Sequence, residues 1–197
     1  MHWKHPSAAG KVMLTVCWDC KGAILAEFRK RGETVNTQSY YDLLFKLRTA
    51  IRRKRPGLLH RGVLLHHDNA KPHTADLTRD TIANFGWSVL QHPPYSPDLA
   101  PSDFHLFGSL KQHLGVEHFA DDDDVQHEVL LWMRQQPKEF YGAGIGALIK
   151  PLDKCINIGE DYVEKSLFPS DYPGKLFVLI FFDLLNDFLS YKHFLVF

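Results

Sequence analysis

A chain of 197 residues, 45% apolar and 23% charged, is long enough to bury one core and too ordinary in composition for a disordered or fibrous protein. Its 23 Lys and Arg balance its 23 Asp and Glu, so the summed field does not draw the whole molecule to nucleic acid, and any such attraction must come from local patches. Cys17, Cys20 and Cys155 are an odd number behind the polar start Met1-His2-Trp3-Lys4-His5. This argues against a disulfide framework and a secretory leader, and the expected compartment is the nucleus or cytoplasm.

In chain order, Lys11 to Phe28 predicts a β-hairpin: VMLTVCW, the turn Asp19-Cys20-Lys21-Gly22, then AILAEF, with Gly22 giving the turn its backbone freedom. Tyr40, Leu43, Leu44, Leu47 and Ile51 follow helical spacing, and Pro56-Gly57 stops the run, so a helix is expected over about 38–54. Its other face, with Lys46, Arg48, Arg52, Arg53 and Lys54, is read as a solvated surface. The segment from Arg61 to His66 is a short apolar strand. A helix from Thr74 to Phe85 ends at Gly86, and residues 87–91 make another strand. Strand, helix and strand in that order predict a parallel pair whose carboxyl ends share one sheet edge.

Pro93, Pro94, Pro97 and Pro101 stiffen the next stretch, and Ser102 can cap a helix through Phe104, Phe107, Leu110 and Leu114, which puts Asp103 at a helix start. Asp121 to Asp124 precede a helix over Val125 to Met133, where acids offset the positive end of its dipole better than they make a metal cluster. A last helical region, Glu139 to Ile158, is expected to break at Gly142, Gly144, Gly146 and Pro151. The apolar C-terminal run from Leu176 to Phe197 is interrupted by Asp183, Asn186, Asp187 and Lys192 and is not a membrane span.

Two acids stand out by context: Asp68, just past the strand ending at His66-His67, and Asp103, with thirty-four residues between them. Carboxylates at one sheet edge can share hard divalent cations that activate an attacking oxygen and stabilise a leaving one. By itself the spacing is weak, because Asp is a common turn and N-cap residue. The words around the two acids are specific: Leu65-His-His-Asp68-Asn-Ala-Lys-Pro-His-Thr74, Gly86-Trp87, and His92-Pro-Pro-Tyr-Ser-Pro-Asp-Leu-Ala-Pro-Ser-Asp103-Phe-His-Leu-Phe107. They resemble the catalytic core of mariner-type DNA transposases. The likeness extends more loosely from Trp3-Lys4-His5-Pro6 to Gly159-Glu160-Asp161-Tyr162-Val163-Glu164-Lys165.

That resemblance implies an α/β fold of RNase H-like type, a mixed sheet flanked by helices, in which three aspartates hold two Mg²⁺ or Mn²⁺ ions for DNA strand cleavage and transfer. Asp68 and Asp103 match the second and third aspartates and are the expected catalytic and metal-binding residues. Asn69, Lys71 and His73 are candidates for nucleic-acid contact, with Asn69 and His73 also able to orient Asp68. The first aspartate and its strand have no counterpart ahead of Trp3, and the family's helix-turn-helix domains are also missing. Expected are therefore a truncated catalytic domain over residues 1–165 with its first strand absent, non-specific DNA binding at best, a homodimer, and an apolar tail over 166–197 unlike anything in the family. The tail is read as a loose extension in preference to a strand filling the vacant slot. Three functions stay open: a DNA-processing enzyme inactive as this chain, a non-catalytic nucleic-acid-binding or interaction module, and a non-functional gene fragment.

Two other motifs carry less. Cys17-Trp-Asp-Cys20 is a CxxC with no second cysteine pair nearby, and it closes a strand where a redox motif should open a helix. His66, His67 and His73 lack the i, i+4 spacing of a helical zinc pair.

Overall fold

The computed structural model describes residues 13–29, 33–90, 105–117, 119–147 and 176–184. Five strands form one sheet: β1 Met13–Asp19, β2 Gly22–Arg29, β3 Val63–His66, β4 Ser88–Leu90 and β5 Leu176–Leu184, in the order β2-β1-β5-β3-β4. The expected hairpin is present, with β1 antiparallel to β2 and Asp19 opposite Gly22, whose φ of 129° suits a residue without Cβ. The expected parallel pair is present as well, with Leu64, Leu65 and His66 opposite Ser88, Val89 and Leu90.

The helix α1, Thr37–Lys54, starts in a capping box. The Asn36 side chain accepts from the Ser39 backbone N–H at 2.8 Å, and Ser39 Oγ accepts from the Asn36 N–H at 3.0 Å. Its buried stripe, Tyr40, Leu43, Leu44, Leu47, Ala50 and Ile51, packs on the sheet face carrying Cys17, Ile24, Val63, Leu65, Val178 and Ile180. Strand alternation sends Leu14, Val16, Trp18 and Leu64 to the opposite face. There they meet α4, Phe107–Leu114, and α5, Asp122–Gln135, through Phe107, Leu110, Val129, Trp132 and Met133. The sheet is thus sandwiched between two helical layers.

The helix expected between β3 and β4 is divided into α2, Lys71–Thr74, and α3, Asp76–Asn84, by the extended Ala75 (φ −62°, ψ 148°). Gly86, at φ 69°, turns the chain out of α3 as expected. At α5 the acidic run acts as a cap: the Asp121 carboxylate accepts from the N–H groups of Asp123 and Asp124 at 3.0 and 2.9 Å. The expected break at the late glycines is not found. Residues 138–147 form a continuous helix, α6. Gly144 has a packing reason, since a Cβ there would lie 2.7 Å from both the Trp18 and His105 rings. Ser102, Pro151 and the boundary at residues 165/166 lie outside the described residues.

The main departure from expectation is β5. Residues 176–184 are no loose extension but the middle of the sheet, antiparallel to β1 from Met13↔Leu184 to Trp18↔Leu179 and parallel to β3 from Val63↔Leu176 to His66↔Leu179. The physical cause is the pairing need of two half-sheets. Without β5, the β1–β2 hairpin and the β3–β4 pair each present an open edge. The run Leu-Phe-Val-Leu-Ile-Phe-Phe has the continuous apolar, β-prone character of a strand covered on both faces, and Val178 and Ile180 are buried. Among the described residues no helix is long and apolar enough to cross a membrane.

Candidate active site

Parallel pairing delivers the carboxyl ends of β3 and β4 to one edge, and the chain leaves β3 through His67 and Asp68. The Asp68 carboxylate, 60% exposed, lies 2.5 Å from His73 Nδ1. It also accepts from the Ala70 N–H at 3.0 Å, which closes a small turn. The hydrogen bond from His73, followed by that of Ala70, holds the carboxyl down at about 2 against the opposing effect of partial burial. Asp68 is therefore a fixed, ionised, accessible oxygen donor at the sheet edge.

Behind it lies a buried polar cluster. The Tyr40 hydroxyl donates to His67 Nδ1 at 2.5 Å, and the His67 and His73 rings stack at 5.2 Å with Tyr40 4.2 Å from His73. Burial, then the neighbouring His73 and His66, push His67 down to about 3. A neutral ring with Nδ1 as acceptor carries its proton on Nε2. Burial likewise raises the Tyr40 hydroxyl, which keeps its proton to donate. Thr78 Oγ1 donates to the Pro72 carbonyl at 2.6 Å and ties α2 to α3. Helix α1, the end of β3 and α2 thus aim Asp68 together. Tyr40 was visible in the sequence only as a core position, although a buried tyrosine hydroxyl normally needs a partner.

The expected site residues separate into three groups. Asn69 and Lys71 are exposed beside Asp68, and Asn69 helps line a cavity of about 250 Å³ with His67, Thr74 and Arg79. His73, expected either to orient Asp68 or to contact nucleic acid, is 3% exposed, packed against Tyr40 with its Nδ1 on the Asp68 carboxylate. Asp103 lies outside the described residues. Asp68 has the charge and exposure a hard divalent cation requires. Among the described residues no group of three or more His, Cys, Asp or Glu able to hold a metal ion is found. By themselves they do not fit a Mg²⁺ or Mn²⁺ site, which needs several oxygen ligands. Cys17 is buried and its thiol is pushed up by that burial, while Cys20 is exposed; this is no reactive dithiol.

Residues 2–61 match the family model described as Transposase (partial DDE domain). The chain is 44% identical over 156 residues to the Mariner Mos1 transposase of Drosophila mauritiana, covering 78% of this chain and 45% of that protein. It superposes on the crystal structure of the Mos1 catalytic domain with a TM-score of 0.71 and 40% identity, over 83% of this chain and 80% of that one. The chain belongs to the mariner transposases. Its RNase H-like sheet and flanking helices are those of a mariner catalytic domain. The Mos1 paired end complex with Mn gives a TM-score of 0.70 at 41% identity, covering 83% of this mariner chain and 48% of that one. Histone-lysine N-methyltransferase SETMAR of Homo sapiens is 34% identical over 161 residues, which are 81% of this chain and 23% of that protein. This mariner chain therefore spans less than half the length of the curated relatives it matches.

Proposed function

We propose that this mariner catalytic domain engages DNA at the edge carrying Asp68, with Asp103 as the second carboxylate toward Mg²⁺ or Mn²⁺, and that the chain by itself does not cleave transposon ends. The observation that carries this reading is the sheet order. The central position between β1 and β3 is held by β5, Leu176–Leu184, which lies after residues 1–165, the stretch read as resembling the family. Solved Mos1 structures with Mg, with Mn and with a transposon end support the choice of ion and partner. Chromosomal DNA as partner makes the nucleus the compartment, and the paired-end form of Mos1 makes a homodimer the assembly to test.

The test is to incubate the purified 197-residue chain with labelled transposon-end duplex and Mg²⁺ or Mn²⁺. The expected result is no discrete nick. A discrete nick lost in Asp68→Asn and in Asp103→Ala would overturn the inactive part of the reading, and its loss in Asp183→Asn as well would place the third acid on β5.

A further inference from the structure

At the opposite end of the sheet from Asp68, the last turn of α1 separates two cavities. One, of about 380 Å³, is lined by Lys21, Arg53, Lys54, Arg55 and Arg134 among other residues; the second, of about 310 Å³, is lined by Arg48, Arg52, Arg55 and His60. No Asp or Glu lines either one. Arg55 is the shared wall. Its guanidinium is clamped from beneath by the buried Asp19 carboxylate, with Nε and Nη2 donating at 2.7 and 2.8 Å, and Nη2 also reaches the Gly22 carbonyl at 3.3 Å. Lys54 Nζ donates to the Ala23 carbonyl at 3.3 Å. Arg52, Arg53 and Arg134 have no carboxylate partner among the described residues.

Basic residues at helix C-termini ordinarily offset the dipole, each worth about 0.3–1 kcal/mol near the last turn. That explains one cation at the end of α1 and Arg134 at the end of α5. It does not explain four consecutive cations, Arg52 to Arg55, meeting Arg134 across a hollow. Here the charges oppose one another: burial first, then Arg53, Arg55 and Arg134, lower the Lys54 ammonium. With Arg55 compensated by Asp19, the remaining cations Arg52, Arg53, Lys54 and Arg134, in a chain of zero formal net charge, leave an excess of one sign in two adjoining hollows that marks a place for an anion.

We propose that these two hollows seat successive phosphates of a DNA backbone, giving the domain a sequence-blind DNA-binding surface separate from the Asp68 edge. Two cation-lined hollows on either side of a fixed arginine suit a repeating phosphodiester better than a single small anion, and arginine forks match phosphate oxygens. The surface needs no divalent ion, so it stands or falls independently of the proposed metal chemistry.

The test is fluorescence anisotropy of the full chain with a labelled random-sequence duplex in EDTA, over a range of NaCl concentrations. Arg53 and Arg134 are exposed, so R53A/R134A should keep the parent melting temperature. It should lose roughly tenfold in affinity and flatten the log–log salt slope by about one per lost contact. Asp68→Asn should change neither quantity. Unchanged affinity and slope in R53A/R134A and in Arg52→Ala would overturn the proposal. Polyglutamate competing as well as DNA at equal charge would make the surface an acidic-peptide site instead. A melting temperature raised by inorganic phosphate, with DNA affinity untouched by the variants, would reduce it to a small-anion site.

Discussion

At the scale of single residues, the edge is held by a histidine that must stay neutral. His67 accepts from Tyr40 through Nδ1 and is pushed down to about 3, whereas an unfolded histidine titrates near 6.5. Its folded pKa is the lower one, so between those values the unfolded chain binds the extra proton. The stability it contributes is complete above about pH 6.5 and is lost as pH falls toward 3, at no more than about 1.4 kcal/mol per pH unit. Asp68 is also lowered, so its contribution holds above the ordinary carboxylate range and is lost only as pH falls toward about 2. Its exposure keeps that contribution small. The expected outcome is a melting temperature that drops between pH 7 and pH 5 in the parent and drops less in His67→Asn, whose side-chain oxygen can still accept from Tyr40. Equal drops would remove His67 as the source. Asp68 was legible in the sequence because its neighbours spell a specific phrase. For His73 the sequence left two roles open, orienting Asp68 or touching a phosphate, because a histidine in a polar turn looks the same on paper whether it is buried against a tyrosine or faces solvent.

At the scale of elements, boundaries were legible wherever a local signal sets them: the turn at Gly22, the end of α3 at Gly86, the acids at the start of α5. Helix α6 was not, because three glycines in five residues read as a break when only propensity is weighed. What keeps it helical is tertiary contact. Tyr141 meets Trp18 at 5.8 Å and donates to the Met133 carbonyl at 2.6 Å, and His105 donates to the Phe140 carbonyl at 2.7 Å. The three glycines therefore differ. Gly144→Ala must push Trp18 or His105 aside and is expected to cost ~1–3 kcal/mol. Gly142→Ala and Gly146→Ala meet nothing within 4 Å and should stabilise by about 0.5–1 kcal/mol through helix propensity. Thermal unfolding of the three variants checks this, and a stabilising Gly144→Ala would refute the close approach to Trp18.

For the whole molecule, the mixed sheet flanked by helices was implied by the resemblance, but the source of its middle strand was not, since nothing in residues 1–165 hints that residue 176 onward pairs with both halves. An apolar run bordered by polar residues is equally consistent with a buried strand and with a sticky appendage, and only the pairing need of β1 and β3 distinguishes them. Removal of residues 166–197 should abolish cooperative unfolding, and in the full chain the amides of residues 176–182 should exchange slowly. Fast exchange there, with an unchanged melting transition after truncation, would refute the central position of β5.

The location of β5 also sets an order of events during synthesis. The ribosome releases the hairpin, both parallel strands and the helices before it makes the strand that joins them. At ~5–20 residues per second, the stretch between Leu90, the end of β4, and Leu184 takes on the order of 5–20 s to be made. Throughout that interval the β1 and β3 edges face the cell unpaired. A nascent chain of this kind is exposed to chaperones and to edge-to-edge association, and a ribosome stalled ahead of Leu176 would leave two half-sheets with no centre.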